Sequence, residues 1–243
     1  MLILAGLGLC NEKDITLREI DEARDADRIF IETYTSKWMG SIERLKKILG
    51  KEIERIGRKD LEENSKWLIE LSRKEKIIIF VPGDPLVATT HISLVSQCLK
   101  EGINVKIIHN SSVVSALAES GLHIYKFGPI VTIPSREKFS TPPKYIYEII
   151  RSNKERGLHT LCLLDVDLGI KEALQILKEC EIEYEKFLPE RLIVVSRLGC
   201  EDSKIYFGSI EKLEKKEIDS PAVIIIPGSL HFTEIEYLEN FSI

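Results

Sequence analysis

Three short segments hold the residue types best suited to meeting a ligand. Gly6-Leu7-Gly8-Leu9 follows an apolar run, and its glycines let the backbone turn sharply and let a ligand approach with no Cβ in the way. Pro82-Gly83-Asp84-Pro85 follows the very apolar Ile77-Ile78-Ile79-Phe80-Val81. Its prolines stiffen the turn, so Asp84 offers a fixed carboxylate to an ammonium or hydroxyl group at small ordering cost. His109-Asn110-Ser111-Ser112-Val113 adds hydroxyls and free backbone N–H groups. Each segment also has a plainer reading: a tight turn, an Asx turn serving only its own loop, and a helix cap. The expected position of all three, at strand ends, favours the ligand reading.

Other chemistries lack their residues. The glycine turn has no third glycine of GxGxxG, and the next helix is expected near Ile15, too late to seat a phosphate. The five histidines, His91, His109, His123, His159 and His231, have no HxH or HxxxH spacing. Cys10, Cys98, Cys162, Cys180 and Cys200 include no CxxC pair, so no metal is expected and the thiols read as buried. No GxSxG elbow, Walker loop or cysteine nucleophile signature is present, and no general base can be named. Thr89-Thr90-His91 reads as the start of a helix.

The elements that carry these segments follow from hydrophobic periodicity. Apolar β-branched runs at 2–5, 28–32, 77–81 and 105–108 alternate with helical spacing, which implies a mostly parallel sheet. A helix is expected over 60–74 with Asp60 as its cap, and a small-residue helix over 114–119. The passage 121–143, rich in Gly and Pro, reads as an interdomain linker, giving domains 1–125 and 126–243. Beyond it, helices around 144–155 and 170–180 and strands at 160–165, 192–197, 204–208 and 222–226 predict a mixed sheet. The fold class is α/β, in two domains.

The chain has 243 residues, 44% hydrophobic and 30% charged. No apolar run approaches the roughly 18 to 20 residues of a spanning helix, so no membrane association is expected. Met1-Leu2-Ile3-Leu4-Ala5 has no basic segment before it and reads as a buried strand rather than a secretion signal, so a cytoplasmic protein is expected. With 34 Lys and Arg against 39 Asp and Glu, the net charge of -5 disfavours direct nucleic-acid binding.

The glycine turn, the PGDP turn and a mixed second half resemble the tetrapyrrole methylase superfamily. Longer stretches resemble its diphthine synthase branch: Tyr34-Thr35-Ser36, residues 82–91 (PGDPLVATTH), 121–128 (GLHIYKFG) and 155–161 (ERGLHTL). The resemblance implies a homodimer of two-domain subunits that binds S-adenosylmethionine in the cleft between the domains. It implies cofactor contacts at Leu9, Asp84, Val87, Ser112 and Val113 in the first half, and at Leu164, Leu198 and Ala222 in the second. It also implies successive methylation of the amino group of an aminocarboxypropyl-histidine on translation elongation factor 2. The rivals are a corrin or porphyrinoid methyltransferase, which would keep the glycine and PGDP loops, and a module that binds S-adenosylmethionine without turnover. The plainest alternative is an α/β protein whose loops only turn the chain.

Overall fold

A strand with apolar residues at every position is stable only when both faces of its sheet are covered, and the first sheet meets that demand. The computed structural model, which describes residues 1–243, divides into two units, Met1–Ala116 and Leu117–Ile243. In the first, β1 (Leu2–Gly6), β2 (Arg28–Glu32), β3 (Glu54–Ile56), β4 (Ile77–Val81) and β5 (Val105–Ile108) form one parallel sheet in the order β3-β2-β4-β1-β5. Helices α1 (Leu17–Asp25), α2 (Ile42–Leu49), α3 (Lys66–Lys74) and α4 (Ile92–Lys100) connect the strands.

Strand residues alternate between faces, so each strand feeds two cores. Leu2, Leu4, Phe30, Ile77 and Ile79 pack with Leu68 and Ile69 of α3 and with Leu94 and Val95 of α4. Ile3, Ala5, Ile29, Ile31, Ile78 and Phe80 pack with Ala23 of α1 and with Leu45 and Leu49 of α2. The chain therefore leaves neighbouring β1 and β4 toward opposite faces, α1 on one and α4 on the other. This is a topological switch point, and the crevice outside the carboxyl ends of such strands is where open α/β sheets take ligands.

The second unit forms a mixed sheet in the order β6-β7-β10-β8-β9, from β6 (Val131–Ile133), β7 (Thr160–Leu164), β8 (Leu192–Ser196), β9 (Lys204–Gly208) and β10 (Ala222–Ile226). Only β6 and β7 pair in parallel. Helices α5 (Lys144–Glu155) and α6 (Ile170–Glu183) cover one face through Ile146, Ile150, Ala173, Leu174 and Leu177, packed with Cys162, Val194 and Ile224. The short α7 (Ile210–Leu213) and α8 (Phe232–Glu239) complete the unit. The division between units falls after Ala116, earlier than the expected residue 125, and 121–143 contributes β6 to the second sheet.

Several local expectations are corrected. The helix over 60–74 is broken: Lys59–Glu63 forms a wide π-type turn, and Asn64 leaves helical space at φ -120°, ψ 36° before α3 begins. Asp60 does not cap α3; its carboxylate accepts from Gly57 N at 2.9 Å. No α-helix forms over 114–119, because the Ser112 and Ser115 hydroxyls compete for local backbone groups, leaving a turn and then one 3-10 turn at Leu117–Ser120. α1 starts at Leu17 rather than near Ile15, where Thr16 and Glu19 exchange capping bonds. Cys98, Cys162 and Cys180 are buried free thiols, and burial pushes Cys180 up to about 11. Cys10 and Cys200 are only partly buried.

Candidate functional site

Because β4, β1 and β5 are neighbours and run the same way, the segments that follow them emerge together at one edge. They are joined there by main-chain bonds. Gly8 N donates to Gly83 O at 3.2 Å, and Gly83 N donates to Gly8 O at 2.8 Å. Both glycines have positive φ, 71° and 70°, a conformation that side chains with a Cβ disfavour. Gly6 is constrained by space: a Cβ there would lie 2.4 Å from Gly83 O and 2.7 Å from Asn110 Cβ. The third loop is tied in by Asn110, whose Nδ2 donates to Gly6 O and to Asp14 O, each at 3.1 Å.

Asp84 lies at the centre of this arrangement, 5% exposed. Its Oδ1 accepts from Leu86 N at 2.9 Å, the Asx turn of the plainer reading. Its Oδ2 reaches the third loop, with His109 Nδ1 at 2.8 Å and Asn110 N at 3.3 Å. The carboxylate thus stabilises its own turn and also links two of the three segments. Val87 N donates to Asp84 O at 3.3 Å, and Thr89 Oγ1 donates to Pro85 O at 2.7 Å. Between them Ala88 is held at φ 57°, a left-handed residue with a Cβ that the surrounding bonds must keep in place. Leu9, Val87 and Val113 are half-buried, while Ser112 is buried and its hydroxyl accepts from Ser115 N at 3.3 Å. Five of the eight expected cofactor residues therefore share one edge of the first sheet.

The other three gather at one edge of the second sheet. Leu164 is the last residue of β7, and Ala222 is the first of β10 and pairs with Ser196, the last of β8. Leu198 follows two residues later and is 7% exposed. The antiparallel register, with Ile224 opposite Cys162, brings the end of β7 and the start of β10 to the same edge.

Two buried carboxylates support the structure and were not read from the sequence as functional. Glu19 is fully buried beneath the first group; burial raises its carboxyl above the ordinary value, against bonds from Thr16 and Asn110. Glu234 in α8 accepts from His231 N at 2.7 Å, His123 N at 2.8 Å, Lys126 Nζ at 2.5 Å and His159 Nε2 at 3.2 Å. His159 Nδ1 accepts from Gly228 N at 2.9 Å, which places the imidazole proton on Nε2. Burial would raise Glu234, but the bonds from His231, Lys126, His123 and His159 bring it down to about 2. Residues 121–128 and 155–161, two stretches that carry the family resemblance, thus converge on one carboxylate. No local pattern signals it, since His123 and Lys126 lie more than a hundred residues away from it in the chain.

Residues 1–214 match the family of Tetrapyrrole (Corrin/Porphyrin) Methylases. A diphthine synthase of Methanocaldococcus jannaschii is 39% identical, covering 98% of each chain. A diphthine synthase of Methanococcus aeolicus is 38% identical over the full length of both chains. Among solved structures, one diphthine synthase superposes with a TM-score of 0.90 at 31% identity, covering 100% of this chain and 96% of the other. No helix is long and apolar enough to cross a membrane.

Proposed function

The chain belongs to the tetrapyrrole (corrin/porphyrin) methylases and, within them, to the diphthine synthases, and from that premise we propose how its residues serve the activity. It is a methyltransferase of diphthamide biosynthesis. Its acceptor is the amino group of the aminocarboxypropyl-modified histidine of translation elongation factor 2, methylated several times in succession to give diphthine. It works as a homodimer in the cytoplasm, with the elongation factor as its protein substrate. The full-length similarity to diphthine synthases sets aside the corrin and non-catalytic readings.

The observation that carries the assignment of the site is the joining of three loops at the switch point, with apolar Leu9, Val87 and Val113 beside the buried Ser112 and Asp84. That mixture suits an amphiphilic ligand with an adenosine and an amino-acid end. S-adenosylmethionine, when bound, supplies a methyl group activated by a positively charged sulfur. Leu9, Asp84, Val87, Ser112 and Val113 would hold it from the first unit, and Leu164, Leu198 and Ala222 from the second.

The protein's task is then to orient and to exclude water. An amine must be uncharged and held at near-attack distance, about 3 to 3.5 Å, to react. The apolar lining strengthens that bias, because water stabilises a protonated amine more than it stabilises a transition state of dispersed charge. The fixed geometry of Asp84, bonded on both oxygens, means little ordering is required when a ligand hydroxyl or ammonium arrives. Mass spectrometry of modified elongation factor 2, incubated with the protein and S-adenosylmethionine, tests the proposal. Stepwise additions of one methylene mass on the modified histidine are expected; binding of the cofactor without any addition would reject it.

A further inference from the structure

Next to the PGDP segment, at the carboxyl end of β2, lies a chain of titratable groups that the cofactor site does not use. His91 is 2% exposed. Its Nδ1 sits 3.1 Å from Pro85 O, which can only accept, so Nδ1 carries a proton. Its Nε2 sits 3.4 Å from the Tyr34 hydroxyl, which also donates to Glu62 Oε1 at 3.3 Å. With His91 neutral, the single hydroxyl proton of Tyr34 faces two acceptors, Nε2 and Glu62. One more proton completes the network: Nε2–H donates to Tyr34, and Tyr34 donates to Glu62. Glu62 Oε1 also accepts from Thr90 Oγ1 at 2.9 Å, so the Tyr34 proton is free to turn toward Nε2 or Glu62.

The cluster is set beside a second, buried carboxylate. Fully buried Glu32 lies within electrostatic reach of His91; burial raises its carboxyl, while the Thr35 bond and His91 lower it. Burial, then Glu32 and Glu62, raises the Tyr34 phenol above its ordinary value, so it stays a hydroxyl able to pass protons on. Arg58 lies over the Tyr34 ring at 5.4 Å and within 4.0 Å of Glu62. It is a cation set against Glu62.

Resting on the proposed amine methylation, we infer that Tyr34 and His91 form the proton exit for the acceptor amine. Each transfer to an amine leaves a proton to be lost before the next. The amine N–H bond breaks and its electron pair stays on nitrogen. The proton joins the Tyr34 oxygen as the Tyr34 O–H bond breaks, and that second proton joins His91 Nε2. The imidazolium then returns its Nε2 proton to the Tyr34 oxygen as the Tyr34 O–H proton passes to Glu62 Oε1, whose partly exposed carboxylate releases it to water before the next round. Tyr34, half-buried, is the group placed to meet the amine, and His91 acts through it.

The test uses Tyr34→Phe, which removes the hydroxyl alone, and His91→Asn, whose amide can still donate to Pro85 O in the manner of Nδ1. Circular dichroism and calorimetric binding of S-adenosylmethionine establish folding and the cofactor site. Both variants are expected to keep cofactor affinity, to lose roughly 100-fold in kcat, and to lose the acid limb of the kcat/KM profile. A purely bracing His91 predicts that Asn restores the rate and the limb. Undiminished transfer with an unchanged profile in both variants would overturn the relay alone; no transfer by the wild-type protein would overturn the activity, and the relay with it.

Discussion

Asp84 and Glu234 are both buried carboxylates that join segments distant in sequence, yet their donor sets differ in kind. Glu234 is fully enclosed by two backbone amides, an ammonium and a buried imidazole, all fixed by the fold of its own unit. Asp84 has two backbone donors and one imidazole, and that imidazole belongs to His109, whose side chain is 69% exposed. An incoming hydroxyl or ammonium can replace His109 without leaving the Asp84 carboxylate unpaired. Glu234 has no partner to give up. On the proposed site the first carboxylate would serve a ligand, whereas the second serves the fold.

The sharpest way to break this contrast is to remove each carboxylate. Glu234→Ala leaves Lys126 and His159 without their buried partner and is expected to cost about 3 to 5 kcal/mol in urea denaturation. Equal losses at Asp84 and Glu234 would erase the distinction. Acid provides a second reading. The folded-state carboxyl of Glu234 lies at about 2, below its ordinary 4.5, so its contribution is complete above pH 4.5 and is lost as pH falls toward 2. Burial lowers His159 below its ordinary 6.5, with the Glu234 bond opposing, so stability held by the neutral imidazole declines as pH falls through that value. Chemical denaturation across this range should show both slopes, the lower one missing in Glu234→Ala.

Smaller effects sharpen the ligand side. Gly6→Ala drives a Cβ toward Gly83 O and is expected to cost roughly 1 to 3 kcal/mol, and to weaken cofactor binding because the loops separate. Asp84→Asn keeps the shape and most of the donors, so calorimetry should show S-adenosylmethionine affinity reduced about tenfold, or about 1.4 kcal/mol, with little change in melting. Arg136→Ala, which breaks an exposed pair with Glu179, should shift stability by less than about 1 kcal/mol and leave binding untouched.

The strands with apolar residues on both faces were legible because nothing else explains a run such as Ile77-Ile78-Ile79-Phe80-Val81. The edge strands β3 and β6 were not: each has three residues, and Glu54 and Arg55 put charges where alternation would be sought. Asp84 was legible because Pro and Gly mark its turn, and the Asx turn of its plainer reading is present. The Tyr34 to His91 contact spans 57 residues, and no local pattern announces such a pair. Glu234 sits in a short helix whose charge reads as solvated until the fold buries it.

The parallel sheet of the first unit sends every strand out through one edge, and the turns that enter strands lie at the other. The turn at residues 50–52 entering β3 is on that far side, with no atom within 4 Å of a Cβ built at Gly50 and with Glu52 exposed. An anchor fixed there tethers the protein to a sensor chip with the joined loops directed away from the support. The connectivity that joins the three loops thus also supplies a handle by which the enzyme can be immobilised with those loops left free.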